Sequence, residues 1–122
     1  MGKRVLIVDD SPTMLTQMRH ALEAAGFHGS DIVDAGGGGE AKTLLSDQGP
    51  FHLVLCDWNM PGINGLDLLR WLRTEQSDKT TSFYIVTGET SDQQLASLLG
   101  AGADGYLCKP VDPRDIVELL ET

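Results

Sequence analysis

The sequence predicts an α/β fold in which helices cover both faces of a parallel sheet. Apolar runs of strand length, rich in Val, Ile and aromatic residues, recur five times along the 122 residues. Segments whose apolar residues recur at helical spacing lie between these runs. Strands that are apolar throughout and alternate with amphipathic helices are typical of a parallel sheet with right-handed crossovers.

The order of these elements predicts a βα unit repeated five times. The strand-like runs are residues 5–8, 32–33, 53–56, 83–86 and 106–108. The helical segments have their apolar positions within residues 14–25, 41–45, 68–72, 95–99 and 116–120. Ser11-Pro12 and Asp112-Pro113 each place a capping residue before a proline at the first helical position, and Gly26 follows the first helix.

Length and composition predict a single domain over residues 1–122, and 41% hydrophobic content is enough for one ordinary core. No apolar run approaches the ~20 residues that cross a bilayer, and the N-terminus leads directly into a strand-like run. We therefore expect a cytoplasmic protein without membrane insertion. The net charge of -9 opposes a phosphate backbone, so direct nucleic-acid binding is not expected.

Cysteine, glycine and histidine residues suggest structural roles. Cys56 and Cys108 each end an apolar run, which predicts two buried free thiols in a reducing compartment. The glycines at 36–39 predict a mobile loop before the second helix. Three histidines have no metal-site spacing and are expected on the surface or at helix ends: His20, His28 and His52.

Polar residues follow four of the five strand-like runs. Asp9-Asp10 follows the first run, Asp57 the third, Thr87 the fourth and Lys109 the fifth. Because parallel strands deliver their C-terminal ends to one edge of the sheet, we expect these side chains to form one pocket.

The residue types in this pocket predict cation binding and phosphoryl chemistry. Carboxylates ~5 Å apart repel by about 3 kcal/mol per pair at an effective dielectric constant of ~20, so three aspartates call for a cation. Mg²⁺ suits these carboxylates because it is a hard ion that takes a few oxygen ligands and keeps positions for phosphate. Mn²⁺ could substitute for it. Asp57 could then attack phosphorus, while Lys109 and Thr87 contact phosphoryl oxygens. Each residue alone is more often a cap or a solvated side chain, so the indication lies in the set.

Asp9-Asp10, Asp57, Thr87 and Lys109-Pro110 together resemble the complete signature of response regulator receiver domains, over essentially the whole chain. Residues 57–65 resemble the loop after the phosphorylated aspartate, and the single-domain chemotaxis regulator is the most similar type. The resemblance implies a flavodoxin-like, doubly wound (βα)5 fold with strand order 2-1-3-4-5. It also implies a two-component or phosphorelay switch that takes a phosphoryl group onto Asp57 as 4-aspartylphosphate.

The resemblance implies a role for each metal-site residue. Asp10, Asp57 and the backbone carbonyl of Asn59 would ligate Mg²⁺ directly, and Asp9 would act through water. The phosphoryl donor would be a sensor histidine kinase or a histidine phosphotransfer domain.

The resemblance also implies a switching mechanism. Lys109, which precedes a Pro110 expected to be cis, and the amide of Gly88 would bind the phosphoryl group. The Thr87 hydroxyl would move toward that group and the Tyr106 ring would turn inward behind it. The result would be a remodelled face of the fourth helix, fifth strand and fifth helix, which controls an unknown output protein.

Asn59 and Glu89 stand two residues after Asp57 and Thr87, at positions that tune the acyl phosphate lifetime across the family. We hypothesise that they orient a hydrolytic water, which makes the phosphorylated state short-lived. Such a domain phosphorylates and dephosphorylates itself and is not a turnover enzyme. It is expected to be a monomer or a phosphorylation-dependent dimer.

Two other functions remain open from the residues. Gly36, Ala41, Lys42 and Thr43 nearly match the spacing of a P-loop nucleotidase, but Ala41 stands where that loop needs glycine. An aspartate-nucleophile phosphatase would need a second aspartate as general acid where this chain has Asn59. The sequence also leaves open whether the domain is free-standing or part of a longer protein.

Overall fold

A computed structural model describes residues 3–88 and 91–120 of the chain. All five predicted strands are present: β1 (Val5–Val8), β2 (Ile32–Ala35), β3 (Leu53–Asp57), β4 (Ser82–Thr87) and β5 (Gly105–Cys108). The last four extend one or two residues beyond the apolar runs, because polar residues such as Asp34 and Asp57 also pair in the sheet. An apolar run therefore marks only part of a strand.

The five predicted helices are also present. They are α1 (Pro12–Ala24), α2 (Gly38–Gln48), α3 (Gly65–Thr74), α4 (Asp92–Gly100) and α5 (Pro113–Leu120), with one 3-10 turn at Gly29–Asp31. The Met14 amide donates to the Ser11 hydroxyl (3.3 Å), and the Arg114 amide donates to an Asp112 carboxylate oxygen (2.8 Å). Both predicted N-caps are therefore confirmed.

The prediction of a glycine loop over residues 36–39 was wrong in its second half. α2 already begins at Gly38, so only Gly36 and Gly37 precede the helix. A Cβ atom at Gly38 would lie 2.6 Å from the Cβ of Ile63, in the loop after β3. Glycine is thus required here by a close approach between two segments.

The strand order is β2-β1-β3-β4-β5 and every pair is parallel, as the family resemblance implied. β1 and β3 are neighbours in the sheet. The strand that follows β1 in the chain, β2, lies on the side away from β3, and the strand that follows β3, β4, lies on the side away from β1. The direction of winding therefore reverses between β1 and β3. Their C-terminal ends flank the crevice in which doubly wound sheets bind ligands.

Two apolar clusters form the core, one on each face of the sheet. Alternate residues of a strand point to opposite faces, so Leu6 and Val8 pack with α2, α3 and α4. Val5 and Ile7 pack with α1 and α5. Since every residue of β1 and β3 is buried, the site residues at their ends stand on the most enclosed part of the sheet.

The two cysteines are both free, but the prediction that both are buried was wrong for Cys108. Cys56 lies on β3, between two neighbouring strands and beneath helices, and is fully buried. Cys108 lies at the end of β5, an edge strand, and is exposed. An apolar sequence pattern does not distinguish an edge strand from a central one.

Gly65, the first residue of α3, approaches β3 so closely that a side chain there should destabilise the fold. A Cβ atom would lie 2.6 Å from the backbone oxygen of Asp57 and 2.8 Å from Cδ1 of Ile85. We expect Gly65→Ala to lower the free energy of unfolding by about 1–3 kcal/mol, as overpacking does. Urea unfolding measures the change. Gly39→Ala is the matched control, because its Cβ would meet nothing within 4 Å; equal effects of the two substitutions would contradict the prediction.

Candidate functional site

The structure brings the predicted strand-end residues to one edge of the sheet. Asp9 immediately follows β1, and its amide donates to the carbonyl of Ala35 at the end of β2 (3.1 Å). Asp57 and Thr87 are the last residues of β3 and β4. Lys109 follows β5, and its amide donates to the Thr87 carbonyl (2.9 Å). Backbone hydrogen bonds of the sheet therefore continue into the site and fix where its side chains begin.

Three carboxylates form the core of the site. One oxygen from each of Asp9, Asp10 and Asp57 lies within 4.8 Å of the others, and no other such group of acids, histidines or cysteines occurs among residues 3–88 and 91–120. Asp9 is 1% exposed and Asp57 is also buried, whereas Asp10 is exposed. At this separation each pair of charges repels by about 3 kcal/mol at an effective dielectric constant of ~20.

Lys109 partly offsets this repulsion. Its Nζ lies 2.8 Å from Oδ1 of Asp57 and 3.5 Å from Oδ2 of Asp9. Burial alone would lower the pKa of Lys109, but the hydrogen bond to Asp57 and the charges of Asp9 and Asp57 raise it above its usual value. The lysine is therefore charged at neutral pH. One ammonium against three carboxylates still leaves an excess of two negative charges.

Asp9 has one satisfied oxygen and one unsatisfied oxygen. Oδ1 accepts a hydrogen bond from the Ser11 amide (2.9 Å), whereas Oδ2 is buried without a hydrogen-bond partner. The 3.5 Å contact of Oδ2 with Lys109 is an ion pair whose geometry does not make a hydrogen bond. Burial, with the nearby charge of Asp57, raises the pKa of Asp9 despite the opposing effects of Ser11 and Lys109.

These residues fit a hard divalent cation. The donors are all carboxylate oxygens, one of them is buried and unsatisfied, and the site has an uncompensated negative charge. Mg²⁺, Mn²⁺ and Ca²⁺ prefer such oxygen ligands, whereas softer metals prefer sulfur and nitrogen. The donor set therefore supports the predicted class of metal without distinguishing one hard ion from another.

Of the other predicted site residues, Asn59, Gly88 and Pro110 lie in the segments that follow β3, β4 and β5. Asn59 is exposed in the loop after β3, and Gly88 directly follows β4. The Lys109-Pro110 peptide bond is cis, so that prediction is confirmed. Glu89 lies outside the described residues.

Thr87 and Tyr106, the predicted switch pair, share one face of neighbouring strands. Thr87 stands opposite Cys108 in the β4–β5 register, and Tyr106 precedes Cys108 by two residues. Residues two apart in a strand point the same way, so both side chains face the α4 side of the sheet. Thr87 is buried at the site, and the Tyr106 side chain is 38% exposed.

Gly65, for which the sequence predicted no individual role, lies beside the site. The Trp58 amide donates to the Val86 carbonyl, and the Gly65 amide donates to the Trp58 carbonyl (3.1 Å each). These bonds close the loop that carries Asn59. Asn64 caps α3 by accepting from the Asp67 amide (2.8 Å). An Asn-Gly pair before a helical pattern was the available signal, because Asn is a frequent N-cap.

The residues of the P-loop alternative have other partners. Lys42 lies on α2, and its Nζ is 5.4 Å from the ring centre of Trp71 on α3. The Thr43 hydroxyl donates to the Gly39 carbonyl one turn earlier in α2 (3.3 Å). Both side chains are thus engaged within the α2 and α3 layer, as expected for the outer face of an amphipathic helix.

Comparison with known proteins identifies the family. The model of the response regulator receiver domain matches residues 5–121. Chemotaxis protein CheY1 of Helicobacter pylori is 33% identical over 97% of this chain and 94% of its own length. Chemotaxis protein CheY of Pseudomonas aeruginosa is 35% identical over 97% and 93%. The crystallised chemotaxis protein CheY4 of Vibrio cholerae superposes with a TM-score of 0.87 at 29% identity, over 99% of this chain and 98% of that one.

The residues and the relatives both argue against the remaining alternative, an aspartate-nucleophile phosphatase. This chain has Asn59 in place of the second aspartate that such an enzyme needs, and the two relatives named above are chemotaxis proteins. Among residues 3–88 and 91–120, the structure contains no helix with the length and apolar character of a membrane span.

Asp9→Asn should stabilise the metal-free protein at neutral pH by on the order of 1 kcal/mol, because it removes a buried charge and keeps the acceptor of the Ser11 amide. The raised pKa of Asp9 means that its contribution to stability is full below the usual pKa of aspartate and is lost as the pH rises through the folded-state value. The increase in the free energy of unfolding caused by Asp9→Asn should therefore become larger as the pH rises. Urea unfolding in EDTA from about pH 3 to pH 7 measures it.

With Mg²⁺ present, the wild type should become more stable than Asp9→Asn, because only the wild type keeps the full set of carboxylates. Asp47→Asn, at an exposed acid of α2, is the control and should change stability by less than about 0.5 kcal/mol. If Asp9→Asn destabilises the protein in EDTA at neutral pH, the account of this carboxylate is wrong.

Proposed function

The chain belongs to the family of response regulator receiver domains, a phosphoacceptor switch rather than a turnover enzyme, and we propose that Asp57 is its phosphoacceptor. The observation that carries this proposal is the contact of the Asp57 carboxylate with Lys109, inside a cluster of three acids. Asp57 ends the central strand β3, where it is buried from bulk water yet borders the crevice. Residues 1–122 would form a single receiver domain.

The proposed reaction transfers a phosphoryl group from a phosphohistidine. A carboxylate oxygen of Asp57 attacks phosphorus in line with the scissile bond, the new P–O bond forms, and the P–N bond breaks. The imidazole nitrogen keeps the electron pair of that bond and takes up a proton. Membership of the family implies a histidine kinase as partner. Either a sensor kinase or a histidine phosphotransfer domain would present the donor, in the cytoplasm.

The carboxylates would hold the metal ion, which we propose to be Mg²⁺, with Mn²⁺ able to replace it. Asp10, Asp57 and the Asn59 carbonyl would be the direct ligands, and Asp9 would act through water. When bound, the ion supplies positive charge that offsets the carboxylates and the incoming phosphoryl oxygens. The buried, unsatisfied Oδ2 of Asp9 and the charge excess support this assignment.

Three further groups would bind the transferred phosphoryl group. The Lys109 ammonium, now hydrogen-bonded to Asp57, would contact a phosphoryl oxygen once Asp57 is esterified. The Thr87 hydroxyl and the Gly88 amide would each donate a hydrogen bond from the end of β4. The position of Thr87 and Lys109 on adjacent strands supports this, because their backbones are already hydrogen-bonded to each other.

Movement of Thr87 toward the phosphoryl group would alter the surface of α4, β5 and α5. Space vacated beneath Thr87 would favour an inward position of the Tyr106 ring, which shares that face of the sheet. We propose that this change controls binding of an output protein. The partly exposed Tyr106 supports the proposal because its ring has an outward position to leave.

Phosphoryl incorporation tests the acceptor directly. With acetyl phosphate and Mg²⁺, we expect the wild type to gain the mass of one phosphoryl group, and Asp57→Ala to gain none. Asp47→Ala is the matched control, an exposed acid on α2 that should leave incorporation unchanged. Trp58 fluorescence with beryllofluoride gives a second readout in the same proteins. Equal incorporation in wild type and Asp57→Ala would refute the assignment of Asp57.

Substitutions at Asn59 and Glu89 test the proposed lifetime control. If their side chains orient the hydrolytic water, Asn59→Ala and Glu89→Ala should each slow loss of the phosphoryl group by about tenfold, which corresponds to ~1.4 kcal/mol in the barrier. Decay of phosphorylated protein after removal of the donor measures the rate. A slow decay in the wild type that neither substitution changes would contradict the hypothesis.

A further inference from the structure

The exposed large apolar side chains come from three elements, α4, β5 and α5. The large apolar or aromatic side chains exposed in the described part of the chain are Leu99 on α4, Tyr106 on β5 and Val117 on α5, with 59%, 38% and 40% exposure. We call the surface formed by these three elements the α4–β5–α5 face. Single exposed apolar residues are ordinary, but apolar surface that adjoins grooves on one face indicates a protein contact.

Tyr106 separates two grooves of different character on this face. The groove between α4 and β5 has a volume of about 170 Å³ and an entirely uncharged lining that includes Leu95, Leu99 and Tyr106. The groove between β5 and α5 has a volume of about 360 Å³, and its charged lining residues are Asp115 and Glu118. The face therefore has an apolar groove beside an acidic groove.

Among the residues that the structure describes, no Lys or Arg lines the acidic groove. The sequences of α4 and β5 contain no Lys or Arg, and α5 contains only Arg114, whose guanidinium pairs with Asp112 at the start of the helix (3.2 Å). Lys109, directly after β5, is paired with Asp57 (2.8 Å). Arg73 is paired with Asp104 (3.3 Å), and Lys79 lines a separate depression that also includes Leu99. Asp115 and Glu118 are exposed, and neither forms an ion pair within the described chain.

We propose that the α4–β5–α5 face binds a cationic amphipathic segment of a partner protein. Apolar side chains of the segment would occupy the groove beside Leu99 and Tyr106, and a flanking Lys or Arg would pair with Asp115 and Glu118. The inference rests on the proposed output role of this face and adds the chemistry of its occupant. A second copy of the chain fits less well, because a two-fold contact would set the same two acids against themselves.

Selection of short random peptides against the full chain tests the proposal, in the presence of Mg²⁺ and beryllofluoride. We expect enriched peptides to carry apolar residues flanked by Lys or Arg. Their binding to the wild type, measured by fluorescence anisotropy, should weaken as the salt concentration rises. The double substitution Asp115→Lys/Glu118→Lys should weaken binding about tenfold at low salt. Leu99→Ala should weaken it as well.

A matched double variant separates this surface from the overall negative charge. Asp47→Lys/Glu75→Lys makes the same change in net charge at exposed positions at the ends of α2 and α3, and it should weaken binding less than about twofold. Enriched peptides without a cationic bias, no enriched peptide, or equal losses in the two double variants would each overturn the proposal. So would a stable dimer of the wild type in sedimentation, with its contacts on this face.

Failure of the proposed function has a different signature. The response of Trp58 fluorescence to beryllofluoride in the wild type reports the Asp57 site alone. If that response is absent, the phosphoacceptor assignment fails. The difference between the two double variants still decides the chemistry of the occupant.

Discussion

The contact between Lys109 and Asp57 is the interaction on which the site depends. Three carboxylates within 4.8 Å of one another would repel strongly, and Asp9 and Asp57 are held where water cannot screen their charges. The ammonium, 2.8 Å from Asp57, offsets part of this repulsion and leaves the remainder for a divalent cation. The site therefore stores unfavourable negative charge in the folded state, and binding of a cation relieves it.

The parallel sheet makes this arrangement possible because it collects residues that are far apart in the sequence. Asp9, Asp57, Thr87 and Lys109 come from four strands, and the fixed register of β1, β3, β4 and β5 sets their spacing. The same register couples the site to the outer surface. Lys109 and Thr87 are joined through the backbone, and Tyr106 lies three residues before Lys109 on an edge strand flanked by α4 and α5. A change at Thr87 thus has a short path to the exposed face.

Local sequence patterns predicted the elements, their order along the chain and the polar residues at the strand ends, because burial and strand-end position leave direct marks on composition. The other candidate site residues, such as Asn59 and Tyr106, came from the family resemblance. The strand order came from the family resemblance, since no local pattern states which strands are neighbours. For the same reason Cys108 was predicted to be buried: an apolar run does not reveal an edge strand. The close approaches at Gly38 and Gly65 were missed because they depend on contacts between segments distant in sequence. The acidic groove beside Tyr106 likewise appears only when β5 and α5 are brought together.

The most direct test of a single cation site is paramagnetic broadening of backbone amide signals by Mn²⁺. We expect substoichiometric Mn²⁺ to broaden the amide signals around Asp10, Asp57 and Lys109 first. Amide signals at the other ends of the strands, such as those of Arg4 and His52, should remain sharp. Excess Mg²⁺ should restore the broadened signals. Broadening spread evenly over the acidic surface, or centred away from Asp57, would contradict the claim that these strand ends share one metal ion.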